Sequence, residues 1–409
     1  MAGFRTLDDI DVRGKRVLLR ADLNVPVRDG VVTDATRIER LAPTIEALIG
    51  NGAKVIVMLH FGRPGGRPDP AYSLRPLVKP LSDAIGGRAV AFAADCIGAE
   101  AKRVVAALRP GQVALLENLR FHKGEEENSQ DFARALATLG DVYVDDAFSA
   151  AHRAHASIAA LPQLLPAAAG KLMEAELAAL NAALENPARP VMALVGGAKV
   201  STKLELLRFV IGKVDLLAIG GAMANTLLFA EGKEVGRSLT ERDMAGNARQ
   251  LLALARQRNC RVILPEDAVV AAELAPGTAS RIVASDAVPR DMMILDIGPQ
   301  TVARIAAALE EVPTLVWNGP LGAFETAPFD RGTTAVAKKV AELTQAGKLL
   351  SVAGGGDTVA ALGAAGLADQ LSYVSTAGGA FLEWLEGREL PGVAALAAAA
   401  RTGPAGDPA

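Results

Sequence analysis

Short runs of β-branched and aliphatic residues alternate along this chain with longer stretches in which apolar residues recur every three or four positions. Residues 16–20 (RVLLR) read as a strand, and 34–49 read as a helix with Ile38, Leu41, Ile45 and Leu48 on one face. Strands are expected again at 54–59, 112–116 and 141–144. After Pro187 the rhythm restarts, with strands expected at 191–195, 214–219, 261–264, 292–295, 314–317 and 349–352. Runs that are nearly all apolar, alternating with helices, predict parallel sheets covered on both faces. The pattern predicts an α/β protein of two doubly wound, Rossmann-like domains, spanning 1–170 and 187–377. Between them, 171–185 (KLMEAELAALNAALE) has no Gly or Pro and favours helix. It reads either as a connector over 171–186 or as a surface helix of the first domain.

The length of 409 residues suits about two to four domains. Hydrophobic residues at 50% supply two cores, and aromatics at 4% leave those cores to Ala, Val, Leu and Ile. A net charge of −3 with no Lys/Arg run argues against nucleic acid or a membrane surface as partner. Two distant cysteines, Cys96 and Cys260, predict no disulfide framework, and no Cys/His spacing reads as a metal motif. The start lacks the apolar stretch of a signal peptide, and no run of about 18 apolar residues occurs, so a soluble cytoplasmic protein is expected. The Pro/Gly-rich tail at 403–409 is expected to fray.

In an open parallel sheet, ligands bind beyond the C-terminal ends of the strands, so the residues after each strand carry the functional signal. In the first half these loops carry cations. Arg20, Asp22 and Asn24 close the first strand, His60 and Arg63 follow the second, and Arg37 opens the first helix. Arg120 and His122 follow a later strand, and His152, Arg153 and His155 come after the last. Arginines gathered at strand ends suit a small, multiply charged anion, because guanidinium grips phosphate and carboxylate oxygens bidentately.

In the second half the corresponding loops carry glycine: Gly196-Gly197 with Lys199 and Lys203, Gly220-Gly221, Asn318-Gly319, and Gly354-Gly355-Gly356 before Asp357 and Thr358. Glycine lets backbone amides approach phosphates, and the following helix N-terminus adds a favourable dipole. The set reads as a nucleotide site, with Asp357 able to hold magnesium. A P-loop, a Rossmann fingerprint and the protein-kinase loops are all missing.

The motifs RADLNVP at 20–26, HFGRP at 60–64, DDAFSAAHRAHAS at 145–157, GGAKVSTK at 196–203, VWNGPLGAFE at 316–325 and GGGDT at 354–358 stand in the order of the phosphoglycerate kinase family, which the chain resembles from about residue 5 to about 396. The resemblance implies magnesium-dependent, reversible phosphoryl transfer from 1,3-bisphosphoglycerate to ADP, giving 3-phosphoglycerate and ATP, by a monomer in glycolysis and gluconeogenesis. It implies that Asp22, Leu23, Asn24, Arg37, His60, Phe61, Gly62, Arg63, Arg120 and Arg153 bind the glycerate substrate in the first domain. It implies that Gly197, Lys203, Gly221, Asn318, Glu325, Gly354, Gly355, Gly356, Asp357 and Thr358 bind nucleotide, with Asp357 on Mg²⁺. Arg37, Lys199, Lys203 and Gly355 would act on the moving phosphoryl group.

The resemblance also implies that 378–409 forms a hinge and a C-terminal segment returning to the first domain. One departure stands out: Ala377 occupies a position where the family carries glycine, and a positive φ there would cost about 1 kcal/mol. Such chemistry needs positioning and charge neutralisation more than a base, since both acceptors are already anionic. Two domains closing on their ligands would exclude water, and 171–185 and 375–379 are the expected hinges. Other classes that fit the residues less fully are a non-catalytic organophosphate-binding protein and a kinase for another carboxylate.

Overall fold

The computed structural model describes residues 3–28 and 31–402; the expected frayed tail lies outside them. The chain forms two units. One comprises the residues up to Leu177 together with those from Glu389 onward, and the other spans Ala178–Arg388.

The first unit is built on six parallel strands: β1 (Arg16–Ala21), β2 (Lys54–Met58), β3 (Val90–Ala93), β4 (Val113–Leu116), β5 (Val142–Asp146) and β6 (Ala167–Ala169), in the order β3-β4-β2-β1-β5-β6. β1 is buried along nearly its whole length, as a strand covered on both faces must be. The helix Thr36–Gly50 lays Ile38, Leu41, Ile45 and Leu48 into the core beside Val17, Leu19, Val55 and Val57. Register sets Arg20 level with Met58 and with Asp145, so the loops after β1, β2 and β5 leave one edge together. The chain runs from β1 toward β2 on one side and from β5 toward β6 on the other. The crevice between β1 and β5 is therefore a topological switch point.

The second unit repeats the arrangement with β7 (Val191–Val195), β8 (Leu216–Ile219), β9 (Arg261–Ile263), β10 (Asp267–Ala271), β11 (Ser280–Ala284), β12 (Met293–Ile297), β13 (Thr314–Asn318), β14 (Leu350–Gly354) and β15 (Tyr373–Ser375). Its parallel sheet has the order β9-β8-β7-β13-β14-β15, and its switch point lies between β7 and β13. One expectation is corrected here. The apolar run at 292–295 joins a separate antiparallel sheet, β11-β10-β12, in which β12 pairs with β10. Its hydrophobicity reports burial, not strand direction.

The helix Lys171–Leu180 continues as a wider turn over Asn181–Glu185, closed by Asn186 N donating to Asn181 O at 2.9 Å. The chain passes from one unit to the other inside this helix. Residues 378–388 belong to the second unit, where Phe381 is buried against Gly354, and the return begins at Glu389. The helix Pro391–Thr402 then docks on the first unit, with Gly392 N donating to Ala151 O at 2.9 Å. The strain considered at Ala377 does not arise. Among the described residues only Asn128 and Asn259 combine a side chain with positive φ, and the left-handed position is Gly378 at +52°.

Leu396 is 1% exposed within the first unit, while Trp317 and Trp384, the only tryptophans, lie in the second. Leu396→Ala should cost the first unit about 2–5 kcal/mol. In urea, its far-ultraviolet circular dichroism transition should move to lower concentration, while the tryptophan fluorescence transition moves less. Equal shifts by both probes would contradict this assignment.

Candidate functional site

The edge of the first sheet is organised by a buried charge network. Arg20 is fully buried. Its Nε donates to Ser157 Oγ at 2.8 Å, and its Nη2 donates to His60 Nδ1 at 3.0 Å. Because guanidinium can only donate, Nδ1 of His60 must accept, which leaves the imidazole proton on Nε2. Glu125, also fully buried, accepts from Ser157 N at 2.9 Å and Ser157 Oγ at 2.6 Å, with Arg20 Nη2 at 3.9 Å. Burial, reinforced by Arg20, Arg120 and Arg153, holds His60 well below the ordinary imidazole value. Burial and the same arginines, Arg120 first, bring His155 down to about 3. The cluster thus gathers three guanidinium groups around two neutral imidazoles, an arrangement that invites an anion.

Arg120 is 3% exposed. Its Nη1 donates to Gly62 O at 2.7 Å and its Nε lies 3.2 Å from Glu126, but its Nη2 is buried with no hydrogen-bond partner among the described residues. Burial lowers its pKa, as expected of a cation held away from water. Asn118 ties the loop after β2 to the loop after β4. Its Nδ2 donates to Phe61 O at 2.7 Å, and its Oδ1 accepts from Phe61 N at 3.2 Å and Arg120 N at 3.1 Å. Gly62, at φ +59°, lets the Tyr72 ring pack against this loop, since a Cβ there would stand 2.3 Å from that ring.

At the switch point itself, Arg37 Nη1 donates to Asp22 Oδ2 at 2.6 Å, and Ser149 Oγ donates to the same oxygen. Asn24 is exposed, and its Oδ1 accepts from Gly62 N at 3.5 Å. Leu23 is buried beneath them in the core, so it supports the loop from below. Arg63 is exposed, and Arg153 is half-buried with Nε donating to His152 Nε2 at 3.3 Å. The structure therefore draws His60, Arg120 and Arg153 into one electrostatic cluster and sets Asp22 with Arg37 beside it.

The sequence did not single out Glu125, and it counted Arg20 only as one of the strand-end arginines, with no partner of its own. Glu125 stands in the run Glu125-Glu126-Glu127, where nothing in the residue types separates the buried carboxylate from its exposed neighbours. Arg20 did carry a signal: an arginine closing an otherwise apolar strand must find a buried partner.

In the second unit, Lys203 Nζ donates to Gly196 O at 2.6 Å and Asn318 Oδ1 at 2.7 Å, bridging the ends of β7 and β13. Burial brings Lys203 down to about 8, with Asp357 acting in the opposite direction. Asn318 Nδ2 donates to Gly354 O at 2.8 Å, and Gly319 N donates to Thr358 Oγ1 at 2.6 Å, so β13 and β14 end in one tied layer. Gly355 precedes the helix Gly356–Ala364, whose first turn exposes Asp357.

Beside this layer lies a cavity of about 340 Å³, lined by Gly197, Gly221, Leu239, Leu274, Leu321 and Glu325, with Asp357 at its margin. Its mostly apolar wall with a few polar groups suits a planar heterocycle. A Cβ on Gly221 would stand 2.7 Å from Gly197 O, so only glycine lets these two loops meet. Lys199 is exposed and its charge acts on Glu241. Sequence reasoning passed over Asp296, a buried carboxylate on the cavity wall. It accepts from Ile297 N at 2.9 Å and Gly332 N at 2.7 Å, and burial pushes it up to about 7.

The sequence model of the phosphoglycerate kinase family matches residues 7–388. The phosphoglycerate kinase of Methylorubrum extorquens is 61% identical over 399 residues, covering 97% of this chain and all of that protein. That of Rhodospirillum centenum is 59% identical over 395 residues, again 97% of this chain and all of the relative. The solved structure of phosphoglycerate kinase from Coxiella burnetii superposes with a TM-score of 0.91 at 42% identity, covering 98% of this chain and all of that one. That from Pyrococcus horikoshii gives 0.77 at 30% identity, over 97% and 99%.

Asp296 makes a pH prediction. Its folded-state value lies above that of an unfolded aspartate, so the native state holds the proton more tightly and loses stability as pH rises from about 4 to about 7. Asp296→Asn removes that dependence. The stability advantage of the parent over the variant should therefore shrink by on the order of 2 kcal/mol between about pH 5 and about pH 8. Urea unfolding followed by tryptophan fluorescence measures it, and an advantage independent of pH would overturn the account.

Proposed function

The chain belongs to the phosphoglycerate kinase family, and from that premise we propose how its two switch-point sites divide the reversible transfer of a phosphoryl group between 1,3-bisphosphoglycerate and ADP. The loops of the first unit hold the glycerate substrate. His60, Arg63, Arg120 and Arg153 take the phosphate that does not move. Asp22 and Asn24 orient the hydroxyl and carboxylate region, with Leu23, Phe61 and Gly62 shaping the loops beneath. Arg37, now paired to Asp22, turns toward the transferring group. The observation that carries this half is the buried, unpartnered Nη2 of Arg120 beside two neutral imidazoles: donors that no protein acceptor satisfies await an anion.

The second unit holds the nucleotide. The apolar cavity beside Gly197 and Gly221 receives the base, and Glu325 meets the ribose. The backbone at Gly354, Gly355 and Gly356, with Asn318, Thr358 and Lys203, receives the phosphates. The exposed carboxylate of Asp357 at the cavity margin offers the hard oxygen that magnesium prefers, and it would hold the ion together with nucleotide phosphate and water. When bound, the ion neutralises phosphate charge. Lys199 serves as a further cation at this edge.

In the forward direction an oxygen of the ADP β-phosphate bonds to phosphorus as the bond to the acyl oxygen breaks, and 3-phosphoglycerate leaves as a carboxylate. No proton need move, so a site of guanidinium, ammonium and amide donors suffices. Neutral His60 contributes its Nε2–H as one such donor. The reading includes closure of the two units, since the ligands must come within bonding distance and water must be kept from the acyl phosphate. It also includes action as a cytoplasmic monomer: each unit draws its site from its own residues, and both cysteines are free and buried. Among the described residues no helix is long and apolar enough to cross a membrane.

Turnover of ATP with 3-phosphoglycerate and magnesium, coupled to NADH oxidation through 1,3-bisphosphoglycerate, tests the assignment. Lys203→Ala should abolish turnover. Arg37→Ala should lower kcat by about 10²–10³-fold, the worth of one preorganised donor, with a smaller change in KM. Arg63→Ala should instead raise the KM for 3-phosphoglycerate by roughly 10-fold, the worth of one charge-assisted hydrogen bond. Intact turnover in the Arg37 variant would remove that residue from the reacting groups.

A further inference from the structure

Three residues that neither site uses converge on one point of the first unit. Asp95 and Cys96 follow β3, and His122 lies in the loop after β4, the neighbouring strand; Ala93 pairs with Leu116, so both loops leave the same edge of the sheet. A carboxylate oxygen, the thiol sulfur and an imidazole nitrogen of these residues lie within 4.8 Å of one another. The spacing 95, 96 and 122 matches no linear metal motif, and it is the pairing of β3 with β4 that assembles the set.

Each donor is held in place. Asp95 Oδ1 accepts from Cys96 N at 2.7 Å and Ile97 N at 3.4 Å, and it lies 2.7 Å from His122 Nε2. The His122 ring stacks on Phe132 with centroids 5.3 Å apart. Cys96 is 1% exposed, whereas the side chains of Asp95 and His122 are 45% and 32% exposed. A cation arriving from solvent therefore meets oxygen and nitrogen first, with sulfur beneath. A surface carboxylate–imidazole hydrogen bond would account for Asp95 and His122, but it leaves the converging thiol unexplained.

We propose that Asp95, Cys96 and His122 form a binding site for one zinc ion. A mixed oxygen, nitrogen and sulfur set is wrong for magnesium or calcium, which take oxygen, and right for zinc. On binding, the Cys96 proton leaves to solvent, and a zinc–sulfur bond forms. His122 shifts its Nε2 proton to Nδ1 through solvent, the Asp95–His122 hydrogen bond is exchanged for bonds from each group to the metal, and nothing is oxidised or reduced. Three protein ligands leave the fourth tetrahedral position to water.

The test uses the full-length chain without a histidine tag, stripped with a chelator and free of nucleotide. Zinc is titrated against a competing indicator dye, and cobalt is added separately to read thiolate-to-cobalt charge-transfer absorption. One equivalent should bind. Asp95→Asn and His122→Ala should each weaken binding by more than about 100-fold, beyond the range seen for outer-shell partners. Cys96→Ser should lose the charge-transfer band, and Cys260→Ser should keep it. Circular dichroism confirms folding of each variant. Asp95→Asn changes only a half-exposed side chain and keeps the test decisive should the Cys96 variant unfold. The proposal is overturned if no zinc binds, if Asp95→Asn binds it as tightly as the parent, or if the band depends on Cys260.

Discussion

Where neighbouring strands of a parallel sheet send their connections to opposite sides, the loops cannot fill the space between them. Both candidate sites of this chain occupy such a gap, one between β1 and β5 and the other between β7 and β13. The shared strand register makes the gap useful. It brings Arg20, Met58 and Asp145 level in one sheet and Val195, Ile219 and Asn318 nearly level in the other, so that residues far apart in sequence leave the sheet together.

The two gaps are filled by opposite strategies. The first unit concentrates side-chain cations and offsets their desolvation with buried carboxylates, among them Asp145 and Glu125, the latter holding Ser157 and through it Arg20. Neutral imidazoles let donors crowd together without adding repulsion. The second unit presents chiefly backbone, with Lys203 and Asn318 bridging the strand ends. In the proposed reading, a compact, highly charged acid calls for directed guanidinium donors, whereas a long phosphate chain beside a flat base calls for close backbone approach.

Much of this was legible in the chain. A run such as 191–195 is apolar throughout because both faces of its strand are covered, and its limits read correctly. The ordered motifs pointed to the family before any geometry was known. What escaped was tertiary in origin. Ala167–Ala169 has poor strand propensity and pairs because β5 and the helix Pro391–Thr402 enclose it. Val90–Ala93 is a short outer strand. The run at 292–295 looks like any buried strand, and its antiparallel partner could not be read from its own residues. Glu125 is indistinguishable in sequence from Glu126, and Asp296 sits in an apolar run that hides its carboxylate. The backbone angle at Ala377 depended on Gly378 taking the left-handed turn one residue later.

The return of the chain at Glu389 has a consequence for biosynthesis. The second unit is continuous and can fold once residue 388 has left the ribosome, but the first lacks Leu390 and Leu396 until the last segment is made. At about 5–20 residues per second, the nascent first unit waits roughly 10–40 s for its closing helix. During that interval the apolar surface around Ile158 and Ala151 stands open to chaperones. Premature termination near the end of the message would then produce a chain with a finished second unit and an unfinished first unit.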